Sequence, residues 1–184
     1  MNPDFEHQPV QFEGSSNKKP RLQANDFRGK VPMVLTFVGA PDEQNDEIIQ
    51  NLNASLIRFG ERRVQLLVVI DGDPTVVSDR LMLNISLISD DGLAAELNAN
   101  RTDEDPVVSI ILGNDGMILD VVRQLPADDQ AAAILVSVDR LMAEFPDRFI
   151  VLPTHRSDHS DHATPVELLE DPANLIPAST ERLD

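Results

Sequence analysis

Val31-Pro32-Met33-Val34-Leu35-Thr36-Phe37-Val38-Gly39-Ala40-Pro41-Asp42-Glu43-Gln44-Asn45 is the stretch on which the fold turns. Val31 to Val38 is an apolar run broken only by Thr36 and bounded by Gly29-Lys30 and Gly39, which predicts a strand buried on both faces. Asp42 then opens a helix over residues 42–59. Ile48, Ile49, Leu52, Leu56 and Phe59 recur on one face, acidic residues in the first turn suit the helix dipole, and Gly60 follows as an expected stop. Val64 to Ile70 is a second buried strand, so the first three elements read as a βαβ unit with parallel strands and a right-handed crossover.

Further along, Asp71-Gly72-Asp73-Pro74 turns into a short helix near Val76 to Leu83. Ser86 to Ile88 reads as a short strand and Gly92 to Asn98 as another helix. The runs Val107 to Leu112 and Met117 to Val122 flank Asn114-Asp115-Gly116, a strong hairpin signal because such a turn tolerates positive φ. Ala127 to Phe145 closes the domain as a helix, with Ile134, Leu135, Val138, Leu141 and Met142 on one face.

Composition divides the chain into residues 1–24, a polar N-terminal arm; residues 25–150, the domain; and residues 151–184, a polar, acidic, proline-punctuated tail. Val10, Phe12 and Leu22 give the arm a means of pairing with a sheet edge. The 184 residues include 32 Asp plus Glu against 15 Lys plus Arg, a formal charge of −17. That field opposes nucleic acid and anionic membrane, and the Lys18-Lys19-Pro20-Arg21 cluster is too short to reverse it. A protein partner, if there is one, is expected to offer a basic surface, with a homo-oligomer as a further arrangement. The first residues do not read as a signal peptide and no stretch approaches the length of a membrane span, so the expected address is the cytoplasm. There is no cysteine, which excludes disulfides, thiolate nucleophiles and thiolate metal sites.

The order of elements resembles the thioredoxin fold, an α/β architecture with a mixed central sheet flanked by helices. In detail it is similar to the peroxiredoxin-like AhpC/TSA, or redoxin, branch. Phe27-Arg28-Gly29-Lys30-Val31-Pro32 looks like that family's entry to the first core strand, and Val64 to Asp71 like its central strand. Ser86 to Leu97, with Ser89-Asp90-Asp91-Gly92, and Asp105-Pro106-Val107 to Gly116 resemble its later segments. The resemblance implies a proline, often cis, facing the active site, and Pro106 is the candidate. It also implies a strand ending in F-x-G-A followed by one or two reactive cysteines at the mouth of the next helix. Here Phe37-Val38-Gly39-Ala40-Pro41 leads into Asp42 and Asn45 at those positions. A carboxylate can cap a helix but can form neither a disulfide nor a sulfenic acid. The family's supporting Thr and peroxide-activating Arg are not evident at their expected places.

The expectation is therefore a redox-inactive redoxin-like protein, acting in binding, scaffolding or assembly through a vestigial cleft at Asp42, Asn45 and Pro106. An alternative is a redoxin-family oxidoreductase, antioxidant or peroxide-related, that works through a partner's thiol or a metal. A third is a metal-binding protein. His155, His159 and His162 in the tail have a spacing that on a helix would share one side, with Asp158 or Asp161 nearby, and could ligate Zn, Ni or Cu. The same histidines also read, and more readily, as incidental members of a solvated, polar tail. Asp71, Asp73, Asp90 and Asp91 lie at strand ends, where carboxylates hold cations or cap the following helices.

Overall fold

The computed structural model describes residues 8–102, 106–123 and 130–150. Two short strands, β1 (Glu13–Gly14) and β2 (Leu22–Gln23), pair antiparallel. There follow β3 (Met33–Val38), α1 (Glu43–Ala54), α2 (Leu56–Glu61), β4 (Gln65–Ile70), α3 (Pro74–Leu81), β5 (Ser86–Ser89) and α4 (Leu93–Glu96). The last elements are β6 (Val108–Leu112), β7 (Ile118–Val122), α5 (Gln130–Glu144) and a 3-10 turn, Pro146–Phe149. Five strands form one sheet in the order β5-β4-β3-β6-β7. The strands β3, β4 and β5 are parallel, while β6 runs antiparallel to β3 and β7 antiparallel to β6. This is the mixed sheet with flanking helices that the sequence predicts.

The apolar run of β3 has a physical reason: it is the middle strand, and each face of the sheet has its own core. Successive side chains alternate between faces. Val34 and Val38 join Leu66, Val68 and Ile70 of β4 and Ile111 of β6 against Ile48, Ile49 and Leu52 of α1 and Ile134, Leu135 and Val138 of α5. Leu35 and Phe37 join Leu67, Val69 and Ile110 in a second core, closed by Leu93, Ala94 and Leu97 and by Val10, Phe12 and Leu22. Residues of the expected arm are thus part of the second core. The arm also reaches the edge of β5: Ser16 bridges Ile88, and Ser89 N donates to Ser15 O at 3.0 Å.

The hairpin forms where Asn114-Asp115-Gly116 predicts it. Gly116 takes φ 80°, and Gly113 N donates to Met117 O at 3.0 Å across the turn. The single helix predicted over residues 42–59 is instead two, broken at Ser55, whose N donates to Leu52 O at 3.1 Å. Gly60 lies inside α2 and does not stop it; the left-handed residue that turns the chain into β4 is Arg63, at φ 56°. Asn53, next to the break, faces α3's exit: its Oδ1 accepts from Asn84 N at 2.8 Å and Ile85 N at 2.9 Å. Such a bond over thirty residues has no local sequence signal. The helix expected near Val76 to Leu83 begins earlier, at Pro74, because Asp73 caps it and proline suits its first turn.

Arg62 at the end of α2 grips Asp139 of α5 bidentately, Nε to Oδ1 at 2.6 Å and Nη2 to Oδ2 at 2.8 Å. The hydrogen bond from Arg62 holds the Asp139 carboxyl below its ordinary value against a smaller opposing effect of burial. A folded-state pKa below the unfolded one contributes stability above the unfolded value and loses it as pH falls through the folded value. Urea midpoints measured on the acid side of neutrality should therefore fall less steeply with decreasing pH in Asp139→Asn than in the unaltered chain. Parallel slopes would show that the pair contributes nothing.

Candidate functional site

Gly39-Ala40-Pro41 carries the chain from the end of β3 to Asp42, the N-cap of α1. Asp42 has extended backbone, and its Oδ1 accepts from Asn45 N at 2.7 Å. Asn45 turns its side chain back, its Nδ2 donating to Ala40 O at 2.8 Å and to Asp42 Oδ2 at 3.2 Å. The two residues expected at the mouth of this helix are thus brought together and bonded to each other. The positive end of the helix dipole favours the carboxylate there. Asp46, one residue on, pairs with Arg80 of α3, Arg80 Nη2 donating to Oδ1 at 2.8 Å, so the first turn of α1 is anchored to the neighbouring helix.

The same mouth is bounded by the loop after β4. A Cβ on Gly72 would lie 3.2 Å from Pro41 Cδ, so the two strand-end loops touch. Pro106 precedes β6. The antiparallel β3–β6 ladder ends with Phe37 opposite Val108, which puts Pro106 at the same end of the sheet as Gly39. Its peptide bond with Asp105 lies outside the described residues, so the expected cis geometry does too.

Sequence reasoning missed Arg101. Its guanidinium lies over the Cα of Gly39: a Cβ there would collide with Arg101 Nη1 and fall 2.8 Å from Asn45 Nδ2. Gly39 is therefore required for close approach, and the half-buried Arg101 supplies a cation beside Asn45. The only trace of this in the sequence is the glycine itself. Nothing local joins it to an arginine 62 positions later.

Of the four strand-end carboxylates, Asp73 and Asp90 accept backbone N–H groups of the helices that follow, while Asp91 and Asp71 do not. Asp73 Oδ1 accepts from Thr75 N at 2.8 Å, Asp90 Oδ1 from Ala94 N at 2.7 Å, and Asp91 Oδ2 from Ser89 Oγ at 2.6 Å; Asp71 is exposed at the end of β4. Among the described residues no three His, Asp or Glu side chains are placed to hold a metal ion. His155, His159 and His162 lie outside the described residues. Among the described residues no helix is long and apolar enough to cross a membrane. One feature had no sequence signal: an open cavity of about 480 Å³ between the β1–β2 hairpin and α4, lined by Gln11, Glu13, Gln23, Asn25, Asp91 and Glu96 among others.

No family model matches the chain, and no curated protein does either. Solved structures do. Peroxidoxin BcpB from Mycobacterium tuberculosis aligns with a TM-score of 0.63 at 15% identity, covering 74% of this chain and 97% of its own. Plasmodium yoelii thioredoxin peroxidase I gives 0.62 at 21% identity, covering 82% and 97%. The reduced 2-Cys peroxiredoxin of Plasmodium vivax gives 0.63 at 16%, covering 82% and 88%.

The fold is that of the peroxiredoxins.

Within a peroxiredoxin-type fold that lacks cysteine altogether, Asp42 and Asn45 occupy the helix mouth where the sequence resemblance puts reactive thiols. A helix N-terminus lowers the pKa of a thiol placed on it, and a nearby arginine does the same. Asp42→Cys should accordingly yield a thiol that titrates below about 8.5, read from the pH dependence of iodoacetamide alkylation. Asp42→Cys/Arg101→Ala should titrate higher. If Asp42→Cys titrates at or above the ordinary thiol value, the helix terminus and Arg101 do not act on this mouth as described.

Proposed function

We infer that this chain is a cytoplasmic, peroxiredoxin-fold protein that has no cysteine chemistry of its own and works by binding a protein partner. The observation that carries the reading is Asp42: a carboxylate bonded to Asn45 N and to the Asn45 side chain at the helix mouth of a cysteine-free chain. Thiol–disulfide exchange and sulfenic acid formation both need a thiol, and this chain has none. The charge of −17 and the cavity bearing Glu13, Asp91 and Glu96 support a partner with a basic surface over nucleic acid or an anionic membrane.

The test is peroxide consumption by purified, metal-stripped chain with a dithiol reductant. The expected rate is that of the reductant alone, and turnover that scales with chain concentration would overturn the reading. Arg101 at the mouth favours a second reading, in which a partner's thiol is presented to this cation and the pair acts on peroxide. Here reductant consumption should appear only when the partner is added and should fall in Arg101→Ala. The tail histidines support a separate proposal, binding of Zn, Ni or Cu. Calorimetric titration of Zn into the full chain and into His155/His159/His162→Ala decides it, since equal weak binding by both would end that idea.

A further inference from the structure

We propose that the outer edge of β5 is a strand-pairing surface for a second copy of this chain, and that Ser15 to Asn17 of the same chain normally occupy it. The proposal is independent of the functional reading above, because neither peroxide nor a basic partner enters it.

Three observations carry it. The first is chemical mimicry. Asn17 is not in a strand, yet its side-chain amide does what a strand's peptide unit would do: Oδ1 accepts from Leu87 N at 2.8 Å and Nδ2 donates to Ile85 O at 3.0 Å. The same Nδ2 also donates to Ser78 Oγ at 2.9 Å, which fixes the amide between β5 and α3. With Ser15 O accepting from Ser89 N at 3.0 Å, and the Ser16–Ile88 bridge between them, the outward main-chain groups of β5 are met by three consecutive arm residues. An edge whose groups need this much covering is one that would otherwise pair.

The second is the sequence of that edge. Asn84-Ile85-Ser86-Leu87-Ile88-Ser89 carries no charge and no proline in a chain of −17, and it is rich in branched aliphatic residues. Six-residue segments of this kind are the signature of self-pairing strands. Two copies meeting here bring together uncharged strands with identical donors and acceptors that are self-complementary when antiparallel.

The third is the way the covering is held. Gly14 lies so close to β5 that a Cβ on it would be 2.8 Å from Ile88 Cγ1. The segment is followed at once by the exposed Lys18 and Lys19, charges of the type that discourage an added strand. The basic cluster thus has a place in the fold, flanking the plug.

The test uses the full chain with Asn17→Ala, followed by amide hydrogen exchange and by sedimentation velocity over a concentration series. Exchange at Leu87 and Ser89 should rise about tenfold or more by local opening, while Val34 and Leu35 in β3 stay protected. The variant should form a species of twice the mass, in proportion to concentration, beyond whatever the unaltered chain forms. Asn17→Ala/Ser86→Lys, which sets a charge at the start of the edge, should show the same loss of protection but sediment as the unaltered chain does. The proposal fails if Leu87 and Ser89 remain protected, if they open without added association, or if Ser86→Lys leaves the association unchanged. Should Asn17→Ala lose protection in β3 as well, Gly14→Ala, which presses the arm away through Ile88, is read by the same criteria.

Discussion

Phe37→Ala is expected to cost about 3–5 kcal/mol of folding stability, the usual range for removing a buried aromatic ring. The ring is 1% exposed in the second core, on the middle strand of the sheet, with Val69 and Val108 opposite it on the two neighbouring strands. Domains of this size have about 5–15 kcal/mol in total, so the variant should sit near the edge of stability. Urea unfolding followed by far-UV circular dichroism should show a lower midpoint with the slope unchanged. Ile57, on α2 and 76% exposed, is the internal control: Ile57→Ala should stay within about 0.5 kcal/mol. A loss below about 1 kcal/mol for Phe37→Ala would mean that the arm-side core is not packed as described.

Thr36→Val should cost about 1–3 kcal/mol although it conserves volume, because of what it leaves behind. Thr36 and Ser109 are both 0% exposed, lie opposite each other on β3 and β6, and share a hydrogen bond of 3.0 Å. Removing one hydroxyl strands the other among Val34, Val38 and Ile111, where water does not reach. Ser109→Ala should behave similarly. Combining them removes both polar groups, so the double variant should be more stable than the sum of the singles implies, with a coupling of about 0.5–3 kcal/mol. Strict additivity would show that the two hydroxyls do not depend on each other.

Much of the fold was legible because its signals are local. The β3 run, the capped start of α1 and the Asp-Gly hairpin are each set by neighbouring residues, and all three appear where expected. Asp42 as a cap belongs to the same class, since the bond it accepts comes from three residues on. The errors are long-range. Ser55 interrupts a helix whose apolar spacing continues through it, beside the Asn53 bonds to Asn84 and Ile85. Arg63 takes the left-handed turn that Gly60, three residues earlier, would adopt without strain. Arg101 reaches the candidate site only because the chain returns past Gly39 after two crossovers. No periodicity encodes that approach.

The left-handed residue that ends α3, Met82, has a consequence for how this chain meets oxidants. With no thiol to react first, the softest atoms it offers are thioether sulfurs. Met33 is sealed in the arm-side core at 4% exposure, whereas Met82 stands 86% exposed. Oxidation there adds a polar oxygen to a side chain that belongs to neither core, so the sulfoxide is accommodated without disturbing them. Among the described residues a surface methionine is thus the most accessible sulfur, one whose oxidation can be repaired by reduction.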